Sequence, residues 1–524
     1  MKIKTKKIIL FVLFLGTFFL VANNSEAENM PLQIINIKPA GTGSPAIPST
    51  HRIFYAYPGI EYKIRAAVIG GDYPYAFVLS NAPSGMIVNE AGYIIWSNPQ
   101  ENANNVGLRV TDSNGDYVDT TWSISVQTSG FKFVDCTSGT NGNGTIFSPY
   151  DNISNMVADS STTDLIYFRN GTCVLPTRGN YTLAGQGTET FSWRDPSNAP
   201  NRWLSFPDEE VTIDMNEKFF YGYPTDSQAF YFDGIKFYNA AHYFFRDSTN
   251  GGSMHYLTFL DCTFDTIYSD EDENRNMGGF FTGASGSSPQ EFMVWQGNTF
   301  ANFRNAHGIG SLYGHSNFLI ENNRFSNFSD YDGVWTHKNT LAVKVGLNNV
   351  TIRGNDFNTV NAGAFGSTLN SPFYTSDNIE ICYNLFRDVY DIGRANTHID
   401  PTYHSGEFWI HHNTFTVTPN YVALYEATAA CGGPYADNYN VYQNPTGSYG
   451  FNVYYTSGNY QSCISSIGNI GAVSGVVEMD GKLTPSYNSY VGTTGWQLSD
   501  GRTPFDLLSQ DEEVPLSPTG LSVL

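Results

Sequence analysis

Three observations predict an all-β chain: a strand pattern repeated six times, each closing on a turn and a phenylalanine; a preceding block of short strands with a different pattern; and a composition poor in charge. The long part reads as a parallel β-helix, a stack of coils, and the part before it as a small β-sandwich. Only 15% of residues are charged while another 15% are aromatic, and Gly, Asn, Ser and Thr supply most of the polarity, as turn-rich extracellular β proteins require.

The chain opens with Lys2, Lys4, Lys6 and Lys7, runs apolar from Ile8 to Ala22 and reaches Ser25-Glu26-Ala27. That pattern reads as a secretory signal peptide over residues 1–27. The apolar run is shorter than the roughly 20 residues of a membrane-spanning helix, and no later segment reads as one. The expected mature protein is exported, to the medium, the cell surface or a periplasm. Without the signal, Lys+Arg falls from 27 to 23 and Asp+Glu from 49 to 48, so the net charge moves from −22 to −25. So acidic a surface excludes a nucleic-acid partner, whose phosphates need basic neutralisation, and favours a soluble monomer. It also suits Ca2+, the one cofactor expected. The run Asp270, Glu271, Asp272 and Glu273 reads first as a solvated loop and second as a calcium site. Six cysteines in an oxidising compartment allow disulfides. The expected pairs are Cys431 with Cys463 and Cys136 with Cys173, whereas Cys262 and Cys382, inside apolar strand patterns, read as core residues.

Residues 28–129 carry alternating strands such as "YKIRAAV", "YAFVLS" and "TTWSISV", separated by Gly, Pro and Asn turns at sandwich spacing. The stretch "YPYAFVLSNAPSGMIVNEAGYIIWSNP" with "VGLRVTDSNGDYVDTTWSISV" resembles bacterial cadherin-like or Ig-like modules, and the resemblance implies a spacer or adhesion unit. With its own strand pattern and no share in the repeat, this module is expected to fold separately and to be dispensable for turnover.

Beyond Gly130 come "LTFLDCTF", "FMVWQGNTF", "FLIENNRF", "VTIRGNDF", "IEICYNLF" and "FWIHHNTF", closing on Phe264, Phe300, Phe325, Phe357, Phe386 and Phe415. Five carry asparagine two positions earlier, at Asn298, Asn323, Asn355, Asn384 and Asn413. Anchor spacings of 36, 25, 32, 29 and 29 residues are too long for hairpins and suit one coil each. Stacked at about 4.8 Å, the asparagines would form a ladder at the bend and the phenylalanines a ladder in the bore. The opening "GTNGNGTIFSPYDNISNMVADSSTTDLIYFRNGT", with Ser148, Pro149, Tyr150 and Ile153 leading to a short helix and then Asp164 to Thr172, resembles the first coil of the pectate-lyase-like superfamily. That resemblance implies a right-handed parallel β-helix, placed at residues 130–505, and leaves lyases, hydrolases, epimerases, adhesins and structural proteins open. Residues 506–524 read as a linker or tail.

Counted forward from each anchor without gaps, plus nine gives Ile309, Val334, Gly366, Ala395 and Leu424, small or apolar and hence inward. Plus eight, ten and twelve then face outward. They hold Trp335 and His337, Phe365, then Arg394, Asn396 and His398, then Tyr425, with Lys338 and Asp400 at strand ends. Rings that stack on sugars, imidazoles and an arginine on one face are what a glycan site requires. His337, Arg394, His398 and Asp400 are the candidate catalytic residues. Trp335, Lys338, Phe365, Asn396, Tyr425 and Glu426 are the candidate substrate contacts, although alternation turns Glu426 inward unless the register breaks. The piece "IDPTYH" resembles the Asp-Pro-His site of mannuronan epimerases, with Thr402 and Tyr403 interrupting it. His411 and His412 read as bend residues.

A lyase acting on a uronate glycan needs a cation for the substrate carboxylate, a base and an acid. Arg394 or Ca2+ serves the first, His337 or His398 the second, and a tyrosine or the other histidine the third. A hydrolase needs paired carboxylates, of which Asp332 and Asp391 are the best available. Lyase therefore ranks first and hydrolase second, and a non-catalytic adhesin would use the same ringed face.

Overall fold

The computed structural model describes residues 30–508 apart from 101–102, 162, 176–201, 223–229, 248–254, 269–277, 284–289, 305–306, 314, 330–338, 344–346, 368–376, 392–407, 417–422, 427–434, 439, 444–451, 456–463, 466–468, 473–476, 478–479 and 481. The chain is a parallel β-helix. One wall is a 12-strand sheet running from Phe131–Val134 to Ile464–Ser465. A second sheet holds 14 strands, every pairing in both is parallel, and Ala423–Glu426 pairs with Asn452–Tyr455 in a separate two-strand parallel sheet. The second sheet has two strips, one directly after the asparagine turn and one further round the coil. Ile235–Asp247 and Asp356–Ser367 run through both strips and join them.

The expected ladders are present. Asn323 donates from Nδ2 to the Trp295 carbonyl and to Asn355 Oδ1, each at 3.0 Å, while its backbone N–H donates to the same Oδ1 at 2.9 Å. Its own Oδ1 accepts the equivalent pair from Asn298. The pattern runs on through Asn384 and Asn413 to Asn440 and Asn469. Inside the bore the anchors stack: Phe300 on Phe325 at 4.7 Å, Phe325 on Phe357 at 4.9 Å, Phe357 on Phe386 at 4.9 Å and Phe386 on Phe415 at 4.7 Å. Phe237 extends the column below Phe264. The residue before each asparagine takes a left-handed conformation, which turns the chain between sheets: Gly297, Asn322, Gly354, Tyr383 and His412 have φ of 70°, 55°, 66°, 53° and 51°.

The first coil is closed by the helix Ile153–Asp159, whose N-cap Asn152 accepts from the Asn155 N–H at 2.8 Å and which buries Ile153 and Met156. Cys136 and Cys173 form the expected disulfide. Cys431 and Cys463 lie outside the described residues. Cys262 is in the bore as expected. Cys382 is a core residue too, but on the other side of the wall: Ile381 takes the inward position and Cys382 faces out of the coil, fully buried among Tyr73, Tyr383 and Leu507.

The N-terminal unit has a three-strand sheet (Tyr62–Arg65, Met86–Val88, Tyr93–Trp96) and a four-strand sheet (Tyr55–Ala56, Ala76–Asn81, Ala103–Thr111, Tyr117–Val126). Ile64, Trp96, Leu108 and Trp122 share one cluster between them, and that cluster continues into Tyr256, Phe292, Val294 and Leu319 of the helix. The module and the coils thus share a core, which the expectation of a separately folding spacer did not include. Tyr256 and Phe292, with φ of 60° and 58°, stack at 4.8 Å at a bulge that later coils fill with Asn317, Asn349 and Asn378. An aromatic residue at positive φ costs about 1–3 kcal/mol, which burial under the module offsets.

Beside this apolar junction lies a buried charge network. Glu321 Oε1 accepts from Arg353 Nη2 at 2.5 Å, Glu321 Oε2 is 3.3 Å from Arg65 Nη2, and Gln296 Nε2 donates to the same oxygen at 2.7 Å. Arg353 also donates to the Tyr75 hydroxyl at 2.7 Å and to the Val68 carbonyl at 3.0 Å, so module and coil share its guanidinium. The segment from Lys482 to Leu508 then returns along the coils. The Trp496 N–H donates to Thr414 Oγ1 at 3.1 Å, Asn322 Nδ2 to the Pro504 carbonyl at 3.3 Å, and Arg502 Nη1 to Glu90 Oε2 at 2.6 Å. Leu507 is buried with Tyr93 and Tyr383, so the packed structure continues past residue 505, where the coils were expected to give way to a tail.

Burial pushes the Glu321 carboxyl up, but Arg353 and Arg65 outweigh it and hold the group below its ordinary value of 4.5. Its stabilising contribution is present above the ordinary carboxylate range and is lost as pH falls through the depressed value. Glu321→Gln strands buried guanidinium groups and is expected to cost about 3 kcal/mol or more at neutral pH, lowering the melting temperature. The same substitution should flatten the acid limb of a melting-temperature profile. Asn355→Ala, which breaks four coil-to-coil hydrogen bonds, should cost about 2 kcal/mol or more by the same measurement, against under about 0.5 kcal/mol for exposed positions.

Candidate functional site

The face expected to carry the site is built by strands further round the coil: Gly278–Gly283, His307–Tyr313, Asn339–Val343 and the end of Asp356–Ser367. Its register runs Phe280, Ile309, Leu341, Phe365. Ile309 and Leu341 are fully buried, so this is the bore-facing column. Ile309 was placed correctly by counting from the anchor. The gap-free count fails on the next coil, where Leu341, and not Val334, stands opposite Ile309. The reason is length. Ile309 follows its anchor by nine residues and Leu341 by 16, and this difference of seven equals the difference between the 25- and 32-residue coils. The whole insertion therefore falls between Phe325 and the strand. Phe365, a candidate substrate contact, stands opposite Leu341 in the register.

Trp335, His337 and Lys338 lie outside the described residues, in the segment that precedes Asn339–Val343. Arg394, Asn396, His398 and Asp400 also lie outside the described residues, as do Asp332 and the run Asp270 to Glu273. Tyr425 and Glu426 are on the strand Ala423–Glu426, parallel to Asn452–Tyr455, with Tyr425 opposite Tyr454 and Glu426 opposite Tyr455. Asp391 ends its strand opposite Gly363.

A second group of functional side chains stands on the outer side of the 12-strand sheet. Glu380 and Cys382 occupy alternate positions of the strand Asp377–Cys382, and His411 is the register partner of Cys382 on the next strand, Phe408–His411. His411 Nε2 lies 3.1 Å from Glu380 Oε1, and Thr351 Oγ1 donates to Glu380 Oε2 at 3.1 Å. On the other side of the ring, His411 Nδ1 and His412 Nδ1 are 2.8 Å apart. Tyr383 stacks on His412 at 4.7 Å, with interplanar angle 8°. Burial raises the Glu380 carboxyl, but the hydrogen bond and charge of His411, with Arg353 and Thr351, outweigh it and bring it below its usual value. Burial pushes the Cys382 thiol well above its usual range. Burial and then the neighbouring His411 hold His412 well below 6.5, which disfavours its protonation and leaves a ring nitrogen able to accept a hydrogen bond.

His412 is thus the bend residue expected, whereas His411 ends its strand and faces outward beside a carboxylate. Counting had missed Glu380 and Cys382 inside "IEICYN", although a signal existed: four residues before successive anchors stand Gln296, Glu321, Arg353, Cys382 and His411, an unbroken polar or titratable column.

No family model matches the chain and no curated protein matches it. Among solved structures it is similar to pectate lyase Pel9A, at 16% identity over 71% of this chain and 87% of that one, with a TM-score of 0.35. It is also similar to the Agl-KA catalytic domain, at 12% identity over 79% and 82% with a TM-score of 0.28. A third match is the catalytic domain of a GH87 α-1,3-glucanase in complex with nigerose, at 11% identity over 79% and 83% with a TM-score of 0.21. The fold assignment stands on the parallel sheets and ladders of this chain itself.

The corrected register has a direct test. Leu341→Ala should open a cavity in the bore and cost about 2–5 kcal/mol, seen as a lower melting temperature. A substitution at Val334 under the same conditions should cost less than half as much.

Proposed function

We propose that this chain is an exported carbohydrate-active β-helix protein, a polysaccharide lyase that cleaves a uronate-containing glycan by β-elimination. The observation that carries this reading is the division of faces. The module covers the outer side of the 12-strand sheet at His315–Glu321 and Asn348–Arg353. The strands after the anchors form a different face, and the segments flanking those strands hold the sequence's concentration of rings, imidazoles and cationic groups.

In this reading Arg394, or a bound Ca2+, neutralises the substrate carboxylate and so acidifies the adjacent C–H. His337 or His398 removes that proton, and the other histidine or a tyrosine protonates the departing glycosidic oxygen. Asp400, two residues beyond His398, supplies a carboxylate to orient its imidazole. Trp335 and Tyr425 provide ring surfaces for sugar faces, and Lys338, Asn396 and Glu426 provide hydroxyl partners. The hydrolase reading, with Asp332 and Asp391 as its carboxylate pair, ranks second because the face holds more candidates for lyase roles.

Incubation with a panel of uronate polysaccharides should produce the ultraviolet absorbance of the conjugated double bond that β-elimination leaves. Reducing ends without that absorbance would identify a hydrolase, and binding with neither product would identify an adhesin. On the cleaved substrate, Arg394→Ala and His398→Ala should each lower kcat/KM about 100-fold or more with an unchanged melting temperature. Full activity in both variants would remove this face from the mechanism.

A further inference from the structure

We propose that Glu380, Cys382 and His411 form a transition-metal site for Zn2+, independent of the glycan-cleaving face. A carboxylate oxygen, the Cys382 Sγ and an imidazole nitrogen of these residues all lie within 4.8 Å of one another. Zn2+ bonds such atoms at about 2.0–2.3 Å, so side-chain movements of the order of 1 Å bring all three to one ion. The donors are held by two hydrogen-bonded strands, which fixes their spacing better than a loop could. Sulfur with nitrogen and one oxygen selects Zn2+ over Ca2+, which takes oxygen ligands in larger number.

The groups behind the donors are arranged as a metal site needs. Coordination through His411 Nε2 requires a proton on Nδ1, and His412 Nδ1, 2.8 Å from that atom, is placed to accept its hydrogen bond. Thr351 holds Glu380 Oε2, leaving Oε1, the oxygen nearest His411, to bind. Charge also balances: the ion displaces the Cys382 thiol proton to solvent, the resulting thiolate and the Glu380 carboxylate neutralise Zn2+, and His411 binds through Nε2 while keeping its one proton on Nδ1. Arg353 is the nearest cation in the register, but its guanidinium is turned to Glu321 and Tyr75. Three protein donors leave a fourth position beside the half-buried His411 for water or an exogenous ligand.

The test uses the full chain, stripped with a chelator and titrated with Co2+ and then Zn2+. A tightly held cobalt ion should give a sulfur-to-cobalt charge-transfer band, displaced by Zn2+ and unaffected by excess Ca2+. The band should vanish in Cys382→Ser and persist in Cys262→Ser. Because a buried cysteine can matter for folding, His411→Gln provides a second variant on a less buried side chain, expected to weaken Co2+ binding about tenfold or more. His412→Gln should weaken it by about tenfold through the lost orientation of His411. Absence of the band, its survival in Cys382→Ser, or unchanged affinity in His411→Gln would each overturn the proposal.

Discussion

A buried amide that reaches from one coil to the next is the constraint on which the rest of this molecule depends. A stack of coils with loops of unequal length has no intrinsic register, because backbone hydrogen bonds alone would accept a slip. The asparagine at each bend removes that freedom: its side chain bonds the coil behind and the coil ahead, and it is fully buried at Asn298, Asn323, Asn355, Asn384, Asn413 and Asn440. A slipped coil would leave these donors unsatisfied where no water reaches. The phenylalanine column follows from this registry, since rings two residues beyond aligned asparagines must lie over one another.

Registry on the inside creates registry on the outside. The residues four before each anchor form a column on the outer side of the 12-strand sheet, and its chemistry changes along the axis. Gln296, Glu321 and Arg353 meet the module, and their charges are matched by Arg65, Tyr75 and backbone carbonyls. Cys382 and His411, next in the same column, face Glu380. One geometric device thus gives a junction in the middle coils and a donor cluster in the later ones, and the sequence of that column decides which.

The ladders were legible because one side chain repeats for one purpose, and Asn-x-Phe marks both the bend and the bore at once. The disulfide Cys136–Cys173 and the capping helix at Ile153 were legible for a similar reason, as each is a local arrangement. What misled was length. The seven residues added after Phe325 carry no mark of whether they precede or follow the next strand, so Val334 was aligned where Leu341 belongs. The junction was hidden for another reason. Glu321 and Arg353 look like solvated residues in a sequence, and only Tyr256 and Phe292, aromatic where later coils have asparagine, hint that something covers that wall. The candidate groove residues from Trp335 to Lys338 and from Arg394 to Asp400 fall outside the described structure, and the reading of that face rests on sequence.

The returning segment from Lys482 to Leu508 gives the molecule a closing order. Its ion pair between Arg502 and Glu90 joins residues 412 apart in the chain, and it reaches Glu90 only by crossing the coils that carry Thr414 and Asn322. Those coils must already be stacked for the crossing to have a surface to follow. The clasp closes a loop of 412 residues, a step whose entropic cost is met only once the coils between are in place.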